Sequence, residues 1–333
     1  MIYKKNLNQL DIGDRVKGIF YIKEMEFRLR RNGETVDGFL KIADKSSEVE
    51  AIVWDISVLK RTEYEQIIFA QIEGQITKKR NNGQLQMTIH TLQKAKDYNP
   101  ADFLPSTERN INEIMQEVDE KINSVSNLYL KKLLASLFNE PDFREKFMNA
   151  PAAKKLHQAY RGGLAEHTIN VANFCEAICR IYPQVNRDLL ITTALLHDIG
   201  KIEEYKLNGT IEYTDKGKLI GHIIIGTEII DSKIKKINNF PEDLSLMVKH
   251  AILSHHGKFE FGSPKLPSTL PAVALFYADD TDAKINGLIG LKEESKNIDR
   301  RWSEWVWWLE RSIYLEEQNI MENSTENAEN IEE

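Results

Sequence analysis

The sequence predicts a two-domain α+β protein, a five-stranded β-barrel followed by an all-helical domain. Three observations carry this reading. Over residues 1–97, apolar residues alternate with polar ones in short runs broken by turn residues, the period of half-buried strands. From residue 111 onward the apolar spacing changes to i, i+3, i+4, the period of amphipathic helices. Between them, residues 98–110 hold Pro100 and Pro105 and no periodicity, which reads as a linker. A chain of 333 residues suits about two domains.

Val16, Gly18, Phe20 and Ile22 alternate with polar neighbours, and Phe27 and Leu29 continue to a turn at Arg31-Asn32-Gly33. Phe39 to Ile42 forms the next strand, and Val49, Ala51 and Val53 form a third that ends near Trp54. A short helix is expected at about 56–66. Ile72, Gly74 and Ile76 form a strand, Asn81-Asn82-Gly83 the turn, and Leu85, Met87 and Ile89 the returning strand. Asn-Gly between alternating runs is a strong hairpin signal. Five strands with a helix between the third and fourth is the pattern of an OB-fold.

In the second domain, residues 111–315, helices are expected from 111, over 126–139, and at about 142–150, 151–160, 164–182, 186–198, 217–237, 242–256, 271–285 and 297–315. The segment 301–308 holds four of the five tryptophans. Read as a helix, it places Trp302, Trp305, Trp308 and Leu309 on one face and Trp307 on another. Such a helix packs against two things, so Trp302–Trp308 is expected to dock domains or a second copy of the chain. The tail, residues 316–333, is acidic, poor in aromatics and expected to be disordered.

Net charge is −7, unevenly spread. Residues 1–98 carry 17 Lys/Arg against 14 Asp/Glu, whereas 313–333 carry seven acids and no base. A globally acidic chain is not a coating protein for nucleic acid, but its basic N-terminal part leaves room for a local phosphate-tracking groove. Arg28, Arg30, Lys41, Lys78, Lys79 and Arg80 are candidates for that rim, and Phe20 and Trp54 for base stacking on a barrel face. Cys175 and Cys179 lie one helical turn apart and form no disulfide framework, which suits a reducing cytosol. No stretch of 18 apolar residues occurs, and Met1 to Asn6 has no apolar leader, so a cytoplasmic protein without membrane contact is expected.

Seven of eight histidines fall between residues 157 and 256. Histidine is the commonest nitrogen ligand for transition metals, and clusters with Asp suit Mn, Fe, Co, Ni or Zn. An apolar helix ends in His197-Asp198-Ile199-Gly200-Lys201. Adjacent helical residues point about 100° apart, so His197 and Asp198 are not expected to serve one metal side by side. An aspartate at a helix end is instead suited to bridging two metals, with a hydroxide between them aimed at phosphorus. Lys201 is placed to bind a phosphate oxygen or steady the leaving group. His167 follows Gly162-Gly163-Leu164-Ala165-Glu166, His222 follows Gly221, His255-His256-Gly257 ends another helix, and Asp279 precedes Asp280 and Asp282. Asp280 and Asp282 compete with Asp279 as ligand. Glu166 is a candidate partner of a ligand. His157, Arg161 and His250 are candidate contacts to substrate phosphate.

The order H…HD…H…HH…D matches the HD-domain phosphohydrolases. With the preceding barrel, the set Gly162-Gly163-Leu164-x-Glu166-His167-Thr168, His197-Asp198-Ile199-Gly200-Lys201, Gly221-His222-Ile223, Ile252-Leu253-Ser254-His255-His256-Gly257 and Asp279-x-x-Asp282-Ala283-Lys284 resembles the YhaM-type 3′→5′ exoribonucleases from about residue 10 to 312. The resemblance implies that His167, His197, Asp198 and Asp279 hold one metal. It implies that His222, His255 and His256 hold a second, with Asp198 bridging. Two divalent ions are implied, Mn²⁺ or Co²⁺ favoured over Fe²⁺, Ni²⁺ or Zn²⁺. The implied activity is hydrolysis of single-stranded RNA from the 3′ end, releasing nucleoside 5′-monophosphates, with single-stranded DNA a further substrate. Two other readings stand beside it: a phosphodiesterase of cyclic or other small nucleotides, and a non-catalytic nucleic-acid-binding module.

Overall fold

The computed structural model describes residues 6–79, 84–103, 105–154, 158–207, 210–295 and 300–315. His157, Arg80, the turn at 81–83 and the acidic tail 316–333 lie outside them.

Strand β1 (Arg15–Leu29) pairs antiparallel with both β2 (Thr35–Ala43) and β4 (Phe69–Lys78), which closes a barrel of order β1-β2-β3-β5-β4. Strands β3 (Glu48–Ser57) and β5 (Leu85–Lys94) run parallel, from Glu50 opposite Gln86 to Val53 opposite Ile89. Between β3 and β4 lies a short helix, α1 (Arg61–Glu65). This is the OB topology that the alternation predicts. The inward residues Ile42, Ile72, Ile76 and Met87 are fully buried. Each such side chain contributes about 1.5–3 kcal/mol of transfer free energy, and strand register is fixed because a one-residue slip would turn this set outward. Phe20 belongs to the same core at 4% exposure, which removes it as a base-stacking residue. Its inward position is set by the Val16-Gly18-Phe20 alternation.

Contacts tie the barrel to the segment that leads into the helices. Tyr98 and Phe103 pack against Phe69 with tilted rings, at centroid distances of 4.4 and 5.1 Å. Arg161 N donates to Pro105 O, and Thr107 N donates to Arg161 O.

The helical part contains α2 (Ile111–Ser124), α3 (Leu128–Phe138), α4 (Pro141–Asn149), α5 (Gly163–Ile181) and α6 (Arg187–Leu196). Asn110, Asn127 and Asn186 cap α2, α3 and α6 by accepting from backbone N–H groups in the first turn. Helix α6 is the centre of the layer: Leu189 through Leu196 are all buried. After it come α7 (Lys201–Glu204), strands β6 (Tyr205–Leu207) and β7 (Ile211–Tyr213), α8 (Asp215–Leu219), α9 (His222–Ile234), α10 (Glu242–Ser254) and α11 (Leu270–Ser295). Cys175 lies in the core, where burial pushes its thiol well above the ordinary range. Among the described residues no helix is long and apolar enough to cross a membrane.

Four expectations are corrected. The described residues of 151–160 form turns, not a helix. The β6–β7 hairpin interrupts the otherwise helical domain, with Tyr205 opposite Tyr213. The helix expected over 217–237 is two helices, broken at Gly221, whose φ of 79° lies in the left-handed region. Finally, the described part of 297–315 is not a helix. Trp302 pairs with Tyr314 and Val306 with Arg311, so the segment folds back on itself around a turn at 307–310. Its Trp, Val, Ile and Tyr residues favour extended pairing, and the helical face of Trp302, Trp305 and Trp308 on which docking was expected does not form.

Candidate metal centre

The end of α6 sets the centre. The helix stops at Leu196, and residues 197–200 continue as turns. There His197 Nε2 lies 3.3 Å from Asp198 Oδ2, so the two neighbours converge on one pocket. Gly200 is required here: a Cβ would lie 2.0 Å from His222 O. The close approach carries the N-terminus of α9 onto the turn.

Asp198 has two faces. Its Oδ2 lies 3.3 Å from His197 Nε2 and 3.5 Å from His167 Nε2. Asp279 Oδ1 closes that group, 3.0 Å from His167 Nε2 and 3.7 Å from His197 Nε2. The other oxygen, Asp198 Oδ1, lies 3.4 Å from His222 Nε2 and 3.5 Å from His255 Nε2. His256 Nε2 completes this second group, 3.3 Å from His222 Nε2. The seven residues thus form two pockets sharing one carboxylate. Asp198 Oδ1 and His255 Nε2 are buried with no hydrogen-bond partner. Buried polar atoms are almost always paired, so two strong lone-pair donors here suit a metal ion.

Every imidazole is oriented from behind. His197 Nδ1 donates to Ala194 O at 2.8 Å, His255 Nδ1 to Ile252 O at 2.6 Å, and His256 Nδ1 to Phe261 O at 2.8 Å. A carbonyl has no proton to give, so in these rings Nδ1 carries the hydrogen and the Nε2 lone pair faces the pocket. His222 Nδ1 meets Glu204 Oε1 at 3.0 Å, and His167 Nδ1 meets Asp282 Oδ2 at 2.7 Å. Such backing is what fixes metal-ligating histidines.

The electrostatics fit a cation. Burial pulls the His255 and His256 imidazoles down, and His256, beside His255 and His222, falls to about 3. Both stay neutral donors. Burial works against ionised Asp198 and Asp279, but Lys201 and His197 hold Asp198 low, and His167 and His197 hold Asp279 low. Burial would also neutralise His167, but hydrogen bonds with Asp198, Asp279 and Asp282 outweigh it and raise its pKa well above the ordinary value. Four carboxylates (Asp198, Asp279, Asp282, Glu204) therefore gather around Lys201 and His167, an excess of negative charge. A buried uncompensated charge costs several kcal/mol, so the donor set fits divalent cations.

The sequence-predicted residues divide by position. Lys201 is buried with Nζ 2.6 Å from Asp198 Oδ2. Asp280 pairs with Lys284 and faces no ligand histidine. Asp282 is not in a pocket; it holds His167 and accepts from Gln158 and Asn286. Glu166 accepts from Tyr160 OH at 3.0 Å. His250 Nε2 accepts from Ser268 N, and Arg161 is engaged by Asn149 and Asp102. Neither lines the cavity above the centre. Sequence reasoning missed Glu204 and Gln158. Glu204 accepts from both N and Nδ1 of His222, capping α9 and aiming the ring together. Its only sequence signal is its place in the first turn after Lys201; Gln158 carries none.

On the barrel, the Arg28 guanidinium lies 4.6 Å above Phe39, and that of Arg30 5.6 Å from exposed Trp54. Arg30 also pairs with Asp37 and Asp55, Lys41 with Glu48, and Lys79 with Glu50. Arg28 and Lys78 have no carboxylate partner among the described residues.

Comparisons with known proteins agree with this architecture. The HD domain family matches residues 164–284. A protein of Bacillus velezensis described as 3′-5′ exoribonuclease YhaM is 32% identical over 276 residues, covering 83% of this chain and 87% of its own. Proteins of the same description from Bacillus subtilis and Listeria welshimeri are 31% and 32% identical, covering 83% and 85% of this chain and 87% and 90% of theirs.

Proposed function

The chain belongs to the YhaM family of 3′–5′ exoribonucleases, and from that premise we propose that it hydrolyses single-stranded RNA from the 3′ end at this centre, releasing nucleoside 5′-monophosphates. The observation that carries the proposal is Asp198, whose two oxygens face two separate groups of imidazoles, one oxygen having no hydrogen-bond partner. In this reading His167, His197, Asp198 and Asp279 would hold one divalent cation, and His222, His255 and His256, with Asp198, would hold a second. When bound, the pair supplies Lewis acidity at the phosphodiester and activates the attacking water. Imidazole and carboxylate donors without thiolate suit Mn²⁺, Co²⁺, Fe²⁺, Ni²⁺ and Zn²⁺ alike, and it is the family resemblance that favours Mn²⁺ or Co²⁺.

The chain's own groups do the rest. Glu204 and Asp282 keep the His222 and His167 rings aimed. Lys201, a buried ammonium on the cavity floor, meets a phosphate oxygen or the departing 3′-oxygen. Cleavage of the P–O3′ bond leaves the phosphate on the released nucleoside as its 5′-monophosphate. Arg28-Phe39 and Arg30-Trp54 offer the barrel a cationic and aromatic face for unpaired nucleotides, DNA as well as RNA.

RNA labelled at its 5′ end tests this. With Mn²⁺ the products are expected to shorten stepwise while keeping the label. Single-stranded DNA in the same assay reports the second substrate class. Intact RNA across Mn²⁺, Co²⁺, Fe²⁺, Ni²⁺ and Zn²⁺, together with opening of a cyclic dinucleotide, would replace the proposal with the small-nucleotide phosphodiesterase.

A further inference from the structure

A cavity of about 840 Å³ lies over the metal centre. Its floor includes Asp198, Lys201, His256 and Asp279. One wall is the folded-back segment after α11, residues 307–311. The turn is built by Leu309 N donating to Val306 O and Val306 N to Arg311 O, both at 3.0 Å, with Glu310 at a φ of 54°. Trp308 seats the turn against α11: a Cβ on Gly287 would lie 2.9 Å from its ring. Val306 is buried beneath. Trp307 is held differently. It lines the same cavity yet is 71% exposed, with no ring or cation partner among the described residues. By contrast Phe261, also on the cavity, has the Lys258 ammonium 4.9 Å from its centroid. Arg311 lines the cavity with one hydrogen bond, to Leu309 O, and no carboxylate partner among the described residues. An unpartnered indole and an unpaired guanidinium therefore share a wall with the residues that would hold the scissile phosphate.

We propose that the 307–311 turn is a nucleotide subsite in which Trp307 stacks on the base at the 3′ end of the RNA and Arg311 supplies a cation to the adjoining sugar-phosphate backbone. The proposal rests on the exoribonuclease reading above. The scissile phosphate on the floor joins two nucleosides, and the subsite takes the base of the one that leaves. Indole stacking tolerates any base, which suits an enzyme that removes each nucleotide in turn.

The test compares first-cleavage rates, under single turnover with Mn²⁺, of a 5′-labelled RNA ending in adenosine and the same RNA ending in an abasic ribonucleotide. Wild type is expected to prefer the base-bearing end by on the order of tenfold, the usual size of one base–aromatic stack. Trp307→Ala should erase that preference by slowing only the base-bearing end, and Trp307→Phe should keep most of it. Thermal melting is expected to be unchanged in both variants, because the ring is exposed. A wild type without the preference, or a Trp307→Ala enzyme that retains it or slows both substrates equally, overturns the subsite. A wild type that cuts neither RNA overturns the exoribonuclease reading and the subsite with it.

Discussion

Replacing Asp198 by Asn is expected to lower RNA hydrolysis by roughly three orders of magnitude or more, a small part of a typical enzymatic acceleration. The reason is geometric. Among the described residues Asp198 alone is placed in both pockets, with Oδ2 against His167 and His197 and Oδ1 against His222 and His255. A neutral amide there removes the negative charge that both pockets share and leaves Lys201 Nζ, now 2.6 Å from Asp198 Oδ2, without its counter-ion. Asp198→Ala is the harsher change: Asn keeps an amide oxygen that accepts from Lys201 Nζ, whereas Ala leaves the buried ammonium with no acceptor at that position, at about 3–5 kcal/mol. The two variants separate chemistry from folding. Asn should lower the circular-dichroism melt less than Ala does, while cleavage disappears in both. Cleavage by Asp198→Asn within tenfold of wild type would show that the reaction does not use Asp198 as a bridge.

Removing divalent cations should destabilise the helical domain as well as silence it. Four carboxylates around the centre outnumber Lys201 and His167, and two buried polar atoms, Asp198 Oδ1 and His255 Nε2, lack a hydrogen-bond partner. A cation that binds only the folded state stabilises it by about 2.7 kcal/mol at a hundredfold excess over its Kd. For a domain of this size that corresponds to roughly 5–10 °C in melting temperature. Melting in chelator and in Mn²⁺ should therefore differ by about that amount, and the difference should vanish in Asp198→Asn. Identical melts of wild type in the two conditions would mean that the cluster holds no tightly bound ion.

Much of the candidate centre is legible in the sequence because the residues that would hold metal sit at helix ends and are marked by residue type: His167 near the start of α5, His197 and Asp198 just past α6, His222 at the start of α9, and His255 and His256 just past α10. The barrel is legible for a similar reason, since period-two alternation and Asn-Gly turns are local signals. What orients the ligands is not local. Glu204 reaches His222 across 18 residues, and Asp282 reaches His167 across 115; nothing in the intervening sequence fixes either distance. The convergence of His197 and Asp198 is hidden because helical periodicity gives the direction in which neighbouring residues leave the axis, not the point at which their side-chain ends meet. Periodicity is equally blind at 217–237, where Gly221 breaks the helix, and at 297–315, where aromatic and β-branched residues pair across a turn instead of lining a helical face. That last difference moves Trp307 from a docking helix to the wall of the cavity over the metal residues.

The most direct measurement of the central claim is an anomalous-difference map from crystals grown with Mn²⁺. Two peaks about 3.5–4 Å apart are expected, one among His167, His197 and Asp279, the other among His222, His255 and His256, with an oxygen of Asp198 on each. A map with no peak at Asp198, or a single peak with the second trio of histidines bonded only to protein, would contradict the two-cation centre.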